Sequence, residues 1–334
     1  MIIMKITDKS LIWFAVINIY AASEKAVKSW GQAEEHMKAK GMVYHGSRTG
    51  RAGNAMEITF DACMAGYRRF IAVGGDGTVH DVLNGIAGYV DWAKESGRKA
   101  SFTDFTVGVI PVGSGNDWIR TAGVPKDVCE AVDVLEAGVM RTQDVVKVSL
   151  LDSVEMPESR EISVSYMMNI GGVGIDARVC EMVNALKRQG KRGRILYVTS
   201  LVYAILHRVP VRARVICDGE TVFDGPYLSM AFGLGKYSGG GMRQTPDAVL
   251  DDGLLDMTII PDIPIRRIAC EAFRLFTGTF LKVPELTSAK AKVITVVPEG
   301  KVDAEPVEVD GEVVGKAPVR LEVLDEQINI VVKG

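Results

Sequence analysis

Two glycine-rich segments of the chain have residue types suited to phosphate chemistry. The first runs from Gly74 to Thr78 and directly follows the apolar run Phe70–Val73. Its glycines permit positive φ and let backbone N–H groups come close to a ligand. Such N–H groups, together with the positive end of a following helix, form a phosphate cradle. Thr78 is predicted to cap that helix and to donate its hydroxyl to a phosphate oxygen.

Asp76 is the unusual member of this segment. A carboxylate beside phosphates is repulsive unless a cation or a proton intervenes, so its presence suggests Mg²⁺ or acid–base work rather than simple anion binding. A tight strand-to-helix turn also favours Gly and Asp, and for the glycine cluster alone the two interpretations are about equally good.

The second segment, Pro111 to Trp118, follows another apolar run, Val107–Ile110, and contains Ser114 between two glycines. In an open α/β sheet, ligands bind outside the carboxyl ends of the strands, so two such loops on neighbouring strands would face one crevice. The sequence lacks the Walker lysine pattern and has no G-x-G-x-x-G after its first strand. Neither a P-loop NTPase nor a dinucleotide-binding Rossmann fold is therefore favoured.

Two Asp-Gly pairs in the second half carry further acidic groups, at Asp251–Gly253 and at Asp310–Glu312. Asp-Gly between alternating hydrophobic runs is a strong hairpin signal, so turns are the first interpretation of both. Loops on rigid strands also carry catalytic groups. Phosphoryl transfer needs mainly positioning and charge neutralisation, and Asp76, Asp252 and Glu312 could supply these roles.

The elements that would position these residues begin with an alternation of apolar runs and helical patterns. This alternation indicates a parallel sheet covered by helices on both faces. The predicted strands are Leu11–Ile17, Phe70–Val73 and Phe105–Ile110, and the predicted helices are Glu24–Ala39, Val79 to about Gly88, and Val128–Glu136.

From about Lys147 the runs become short, β-branched and separated by turn residues, which favours an antiparallel sandwich or barrel. The predicted strands are Val148–Leu150, Ser163–Asn169, Arg212–Cys217, Leu228–Phe232, Leu255–Ile260, Val293–Val297, Val307–Val309, Val319–Leu324 and Ile328–Val332. Helical insertions are predicted at Val179–Arg208 and Pro264–Phe276. We therefore expect an α/β domain over residues 1–142 and a β-sandwich domain over residues 143–324, with the boundary near Arg141–Val145.

Composition excludes several classes of protein. The 39 basic and 42 acidic residues give a formal charge of −3, so nothing global favours nucleic-acid binding. The five cysteines are scattered, which suggests free thiols in a reducing compartment rather than a disulfide frame or a zinc site. The four histidines are isolated and are therefore not expected to be metal ligands. No run approaches the ~20 apolar residues of a spanning helix. The run Leu11–Ile17 is interpreted as a buried strand rather than a signal core.

Five motifs, in order along the chain, resemble the diacylglycerol kinase catalytic-domain family, which includes bacterial soluble diacylglycerol kinases, sphingosine kinases and ceramide kinases. The resembling segments are Gly74–Thr78 with Asn84-Gly85, Pro111–Asp117, Asn169–Ala177, Tyr237–Asp256 and Asp310–Glu312. The matches cover most of the chain, and together they are highly specific.

The resemblance implies a three-layer nucleotide-binding domain like that of phosphofructokinase and NAD kinase, followed by an antiparallel β-sandwich. The tail after about Leu324 would return to the first domain. The implied nucleotide contacts are Asn18, Thr49, Gly74, Gly75, Asp76, Gly77, Thr78, Val79, His80, Gly113, Ser114, Asn116 and Asp117.

The same resemblance implies ATP and Mg²⁺ as cofactors. Asp252 would hold Mg²⁺, helped by backbone carbonyls near Val249 and Leu254, and Glu312 would be the general base that takes a proton from a lipid hydroxyl, with Asp76 as a second catalytic residue. The expected reaction converts diacylglycerol to phosphatidate. A sphingoid-base or ceramide kinase, an NAD-kinase-like enzyme and a degenerate nucleotide- or lipid-binding protein are the alternatives.

The chain departs from the family pattern in its first loop. The family has Asn-Pro-x-Ser-Gly there, whereas Asn18 is followed by Ile19–Ser23, without proline or glycine. We expect this loop to contact the nucleotide less closely, which affects nucleotide affinity and the choice of ATP.

The expected setting is the cytoplasm, with peripheral contact at the inner membrane surface and a lipid substrate as partner. The basic stretch Lys187–Arg194, followed by the apolar Ile195–His207, is either a membrane-facing surface or a solvated loop. The edges of a β-sandwich can also pair, so a homodimer is a further expectation.

Overall fold

The structure is a computed structural model that describes residues 8–18, 24–50, 54–153, 159–189, 194–208, 211–271, 273–299 and 305–334. The chain divides into two compact units. The first consists of Met1–Gln143 and Glu326–Gly334, and the second of Asp144–Asp325.

Strands and helices alternate in the first unit, and strands dominate the second. The strands are β1 (Trp13–Ile17), β2 (Tyr44–Arg48), β3 (Arg69–Gly74), β4 (Thr106–Pro111), β5 (Met140–Leu151), β6 (Glu161–Met167), β7 (Ile170–Gly174), β8 (Val211–Cys217), β9 (Glu220–Gly233), β10 (Leu255–Pro261), β11 (Thr287–Ala291), β12 (Val293–Pro298), β13 (Pro306–Val309), β14 (Glu312–Lys316) and β15 (Val319–Val331). The helices are α1 (Glu24–Ala39), α2 (Asn54–Met64), α3 (Asp76–Glu95), α4 (Trp118–Ala122), α5 (Val128–Ala137), α6 (Ile175–Arg188), α7 (Arg194–Leu206), α8 (Ile265–Glu271) and α9 (Arg274–Thr277).

The first unit is built on a parallel sheet in the order β2-β1-β3-β4, with the end of β15 added beside β4. Side chains alternate between the two faces of each strand. On one face, Ala15, Ile17, Ile71 and Val73 join a core with residues of α1 and α5. Helices α2 and α3 pack against each other as a second pair. Because β1, β3 and β4 run parallel, their carboxyl ends lie at one edge of the sheet.

The second unit is antiparallel. Its strands follow the path β14-β13-β7-β9-β8-β12-β15, with β10 and β11 attached through β9 and with β5 paired to β6. The buried core of this unit consists mostly of aliphatic side chains, and it also contains the aromatic residues Phe232 and Tyr227. Helices α6 and α7 contact each other, and Val179 and Ala204 share a smaller cluster.

Several predicted elements differ from the structure. Helix α3 begins at Asp76 rather than Val79, because Gly75 occupies the N-cap position. The helix continues to Glu95, beyond its predicted end near Gly88. The two strands predicted at Val319–Leu324 and Ile328–Val332 are the single strand β15, whose polar middle continues the extended backbone. Six elements have too weak a pattern to have been predicted: β2, β7, β11, β14, α2 and α4.

Strand β15 contributes to both units. Val319 to Glu322 pairs with β12, while Asn329 and Ile330 pair with β4. The N–H of Val332 then donates to the carbonyl of Val139 at 3.0 Å. The chain thus returns to the parallel sheet after the second unit. The boundary between the two units falls between Gln143 and Asp144, one residue beyond the boundary predicted at 142.

Candidate active site

The segment Gly74–Thr78 joins the end of β3 to the start of α3. Gly75 has φ −113° and ψ −164°, and no side chain caps the helix. Gly75, Asp76 and Gly77 are half-buried. The first N–H groups of a helix have no acceptor within the helix, and the helix dipole adds positive potential there. This end of the 20-residue helix α3 is therefore suited to an anion such as phosphate.

The second glycine loop packs directly on the first. The carbonyl of Gly74 accepts from the N–H groups of Val112 at 3.0 Å and Gly113 at 3.1 Å. A Cβ atom on Gly113 would lie 2.4 Å from the Cα atom of Gly75, so only glycine fits this close approach. The structure thus brings the two predicted phosphate loops together at the ends of neighbouring strands.

The carboxylate of Asp76 has a structural partner that the sequence did not reveal. Its Oδ1 accepts from the backbone N–H of Asp117 at 2.8 Å and from that of Trp118 at 3.0 Å. These are the first N–H groups of α4, where a carboxylate is stabilising. Asp76 therefore ties the start of α3 to the start of α4.

Thr78 was predicted to cap α3, and this prediction is wrong. The helix begins two residues earlier, and Thr78 lies inside its first turn with only 3% of its surface exposed. Its Oγ1 accepts from Asn18 Nδ2 at 3.0 Å, and Asn18 Oδ1 accepts from the hydroxyl of Thr49 at 3.1 Å. Three predicted nucleotide contacts thus form one hydrogen-bonded chain that joins β1, the end of β2 and α3.

The remaining predicted nucleotide contacts differ in exposure. Ser114 is exposed at the tip of the second loop. Asn116 has a positive φ of 53°, and its Nδ2 donates to the Gly113 carbonyl at 2.8 Å. Val79, His80 and Asp117 are buried, and Asp117 Oδ1 lies 3.2 Å from Arg120 Nε. The loop therefore presents Ser114 to solvent, while Asn116 stabilises the turn.

In the second unit, Glu312 begins β14 with its carboxylate exposed. It follows a tight turn in which Asp310 has φ 51° and Gly311 has φ 90°, the positive values typical of a hairpin between β13 and β14. Asp310 is buried and accepts from the N–H groups of Met168 at 3.2 Å and Asn169 at 2.9 Å. The hairpin prediction at Asp310-Gly311 is thereby confirmed.

Helix α6 also holds this turn. The thiol of Cys180 donates to the Gly311 carbonyl at 2.9 Å, and Asn184 Nδ2 lies 3.2 Å from the same oxygen. Asn184 Nδ2 also lies 3.4 Å from Glu312 Oε2. Asn184 is thus placed to orient the carboxylate of Glu312, and no local sequence signal connects these two residues.

A second carboxyl group, Glu308, lies beneath the turn. It is buried and accepts from the Gly311 N–H at 2.9 Å. Burial raises the pKa of Glu308 well above its ordinary value; the Gly311 N–H opposes this shift, and the nearby carboxylates of Asp176, Asp310 and Glu312 add to it. Burial likewise raises the pKa of Asp176, against the hydrogen bonds from Ser229 and Gln244.

The predicted metal position, Asp252, lies in the segment before β10. Its Oδ1 accepts from the Leu254 N–H at 3.1 Å. The Gly253 N–H donates to Asp144 Oδ2 at 2.7 Å, and the Asp144 N–H donates to the Leu250 carbonyl at 2.8 Å. Asp144 is buried and was not singled out in the sequence.

The ammonium group of Lys290 lies beside Asp252. Lys290 Nζ lies 3.4 Å from Asp252 Oδ2, 2.9 Å from Asp256 Oδ2 and 3.2 Å from the Asp247 carbonyl oxygen. Burial alone would lower the pKa of Lys290, but the ion pairs with Asp256 and Asp252 outweigh it and raise this pKa. A Mg²⁺ ion needs oxygen ligands at about 2.0–2.1 Å in near-octahedral geometry. With this ammonium against the carboxylate, the residues present do not fit a divalent cation held by Asp252, Val249 and Leu254.

Family models match both units. The model described as "Diacylglycerol kinase catalytic domain" matches residues 13–148, and the model described as "YegS C-terminal NAD kinase beta sandwich-like domain" matches residues 170–332. The predicted fold class, an α/β nucleotide-binding-type domain followed by a β-sandwich-like domain, is thereby confirmed.

Individual proteins agree with the family models. The chain is 27% identical over 296 residues to a diacylglycerol kinase of Staphylococcus carnosus, covering 88% of this chain and 86% of that protein. It is 28% identical over 214 residues to a "Probable lipid kinase YegS-like" protein of Pseudomonas syringae pv. tomato, covering 64% and 60%. A crystal structure of a diacylglycerol kinase from Bacillus anthracis aligns with TM-score 0.67 and 19% identity, covering 96% of this chain and 97% of that chain.

The resemblance to the diacylglycerol kinase catalytic-domain family is thereby confirmed: residues 13–148 match the model of that domain, residues 170–332 match the YegS C-terminal domain, and the relatives are named as diacylglycerol kinases or lipid kinases. Among the described residues, no helix combines the length and hydropathy that crossing a membrane requires. Two predictions fall outside the described residues: the altered first loop at Ile19–Ser23, and the side chains of the basic stretch at 187–188 and 190–194.

Proposed function

We propose that this chain transfers the γ-phosphoryl group of ATP to the hydroxyl of a lipid, with diacylglycerol as the acceptor and phosphatidate as the product. The observation that supports this proposal is the packing of the two glycine loops on each other at the start of α3, in a chain that resembles this family. The relative from Staphylococcus carnosus is named diacylglycerol kinase, and the chain aligns with 86% of its length. This relative supports the choice of acceptor.

The donor half of the reaction rests on backbone groups. The half-buried Gly75–Gly77 segment would receive the terminal phosphates of ATP at the N-terminus of α3. Asp76 does not stand as an uncompensated negative charge there, because two backbone N–H groups donate to its Oδ1. Ser114, exposed on the adjoining loop, would donate its hydroxyl to a phosphate oxygen.

The acceptor half rests on Glu312. Its exposed carboxylate would take the proton from the lipid hydroxyl as the hydroxyl oxygen bonds to the γ-phosphorus. The bond from that phosphorus to the oxygen of the leaving ADP breaks in the same displacement. Asn184 and the buried Asp310 would hold the carboxylate and its turn in place during this step.

The lipid acceptor requires contact with a membrane surface, which we propose to be peripheral and cytoplasmic. Helix α7 supports this part of the proposal, because Val202, Tyr203 and Leu206 expose more than half of their surfaces. Apolar side chains of this kind insert at the boundary between headgroups and acyl chains.

The test is transfer of labelled γ-phosphate from ATP, supplied with Mg²⁺, to a panel of diacylglycerol, a sphingoid base, ceramide and NAD. We expect label on diacylglycerol, and a fall in kcat of about 10²–10⁴-fold in Glu312→Gln, the range typical of general-base removal, with little change in KM for ATP. Glu220→Gln, an exposed glutamate at the start of β9, is the matched control.

Each other outcome contradicts a defined part of the proposal. Label on a sphingoid base or ceramide alone would reject diacylglycerol and keep the lipid kinase. Label on NAD alone would reject the lipid acceptor. Full activity in Glu312→Gln would reject this residue as the base.

A further inference from the structure

Lys290 is fixed opposite an acidic segment by strand pairing. It lies on β11, directly across from Asp256 on β10 in an antiparallel ladder. Paired residues in such a ladder project their side chains on the same face of the sheet. The ammonium thus reaches Asp256 at 2.9 Å from a position that the backbone register sets.

The same ammonium contacts the acidic segment at three points along the chain. Besides Asp256, it lies 3.2 Å from the Asp247 carbonyl oxygen and 3.4 Å from Asp252 Oδ2. Carboxylates and backbone carbonyls are the oxygen ligands that coordinate hard divalent cations in proteins. Here the ammonium group of Lys290 contacts two carboxylates and one carbonyl instead.

We infer that Lys290 replaces a divalent cation in this chain and holds the segment 247–256 in its folded conformation without a metal. Further hydrogen bonds within the protein also hold this segment in place. Asp144 joins the segment through the Gly253 N–H and the Leu250 carbonyl, and Asp252 Oδ1 accepts from the Leu254 N–H. The segment therefore keeps its conformation when divalent cations are removed, and a cation that enters must first displace the lysine.

Lys292 offers a matched control. It lies two residues further along the chain, and its ammonium contacts Asp325, whose side chain is 90% exposed. Replacement of Lys292 removes the same charge from the same region without touching the 247–256 segment.

The experiment compares wild type, Lys290→Met and Lys292→Met without nucleotide, in EDTA and in millimolar Mg²⁺ or Ca²⁺. For wild type and for Lys292→Met, we expect that the thermal unfolding midpoint of each protein does not change between EDTA and either cation. Lys290→Met should unfold at a lower temperature in EDTA and recover with either cation, because its carboxylates then need a counter-charge. Calorimetric titration should show Mg²⁺ binding at least about tenfold tighter in Lys290→Met than in wild type.

Adding Asp252→Asn to Lys290→Met should abolish the recovery, which would assign the cation to this segment. Equal Mg²⁺ affinity in wild type and Lys290→Met would overturn the inference. If Lys290→Met does not fold, calorimetry on wild type and Asp252→Asn decides: Mg²⁺ binding by wild type that Asp252→Asn removes would contradict the replacement, and equal heats in both proteins would support it. None of these readouts depends on kinase activity.

Discussion

Three neighbouring carboxyl groups of this chain differ in their burial and in the donors around them. Asp310 accepts two backbone N–H groups and is buried, whereas Glu312, two residues later, is exposed with Asn184 beside it. Glu308 is buried with one N–H donor. Three acidic residues within five positions thus have three environments, and we assign proton abstraction to the exposed one.

The raised pKa of Glu308 makes stability depend on pH. Between its unfolded value of 4.5 and its higher folded value, the folded chain holds a proton that the unfolded chain has lost. Stability therefore falls as pH rises through this window, by at most about 1.4 kcal/mol per pH unit for one proton. Glu308→Gln stays neutral and can still accept from the Gly311 N–H. We expect its urea midpoint to exceed that of wild type at mildly alkaline pH, with the difference shrinking toward pH 4.5.

Urea unfolding at a series of pH values measures this effect, with Glu220→Gln as the exposed control. A Glu308→Gln midpoint that parallels wild type at every pH would show that Glu308 is ionised in the folded protein.

At the scale of elements, glycines set how closely helices and loops approach. A Cβ atom on Gly85 of α3 would lie 2.6 Å from the Met56 carbonyl oxygen and 2.6 Å from Thr59 Cβ on α2. Gly31 of α1, by contrast, has nothing within 4 Å of such an atom. Both positions lie in the interior of a helix, so the gain in helix propensity from alanine is the same at each. The two substitutions therefore differ only in packing.

We expect Gly31→Ala to stabilise the protein by about 0.5–1 kcal/mol, because alanine reduces the conformational entropy of the unfolded chain. Gly85→Ala should destabilise it by about 1–3 kcal/mol, since α2 must shift away from α3. Urea unfolding of both variants checks the two signs. A stabilised Gly85→Ala would mean that the contact between α2 and α3 is looser than the structure has it.

At the scale of the whole molecule, β15 contributes to two units through different residues. Val319, fully buried, pairs with Val296 of β12 in the second unit. Ile330, 1% exposed, pairs with Val107 of β4 in the first unit. One strand thus offers a matched pair of core positions whose effects belong to different units.

Ile330→Ala should cost about 2–4 kcal/mol of stability in the first unit, through lost burial and the cavity that remains. Hydrogen exchange followed by mass spectrometry should show faster exchange in β3 and β4, with β8 and β9 unchanged. Val319→Ala should give the opposite distribution at a somewhat smaller cost. Equal acceleration of all four strands in both variants would contradict the division into two units.

Much of the fold could be predicted from the sequence, because apolar periodicity follows directly from which faces are buried. Helix α1 was predicted with its observed bounds, and β3 and β4 to within a residue or two. The start of α3 was missed, because Asp76-Gly77-Thr78 has the composition of a turn while Gly75 supplies the N-cap. Strand β14 was missed because its residues, from Glu312 to Lys316, are exposed or half-buried and carry no alternation.

The sequence by itself determined the family resemblance, the two glycine-rich loops and the acidic residues proposed for the site, since each depends on residue types at short, fixed spacing. Only the tertiary structure decided which donors each carboxylate meets: Asp76 with the N–H groups of α4, and Asp252 with Lys290. These partners lie far apart in sequence, and strand register and loop packing bring them together. Hydrogen bonds and ion pairs act over a few ångströms in space, and a linear pattern does not specify that distance.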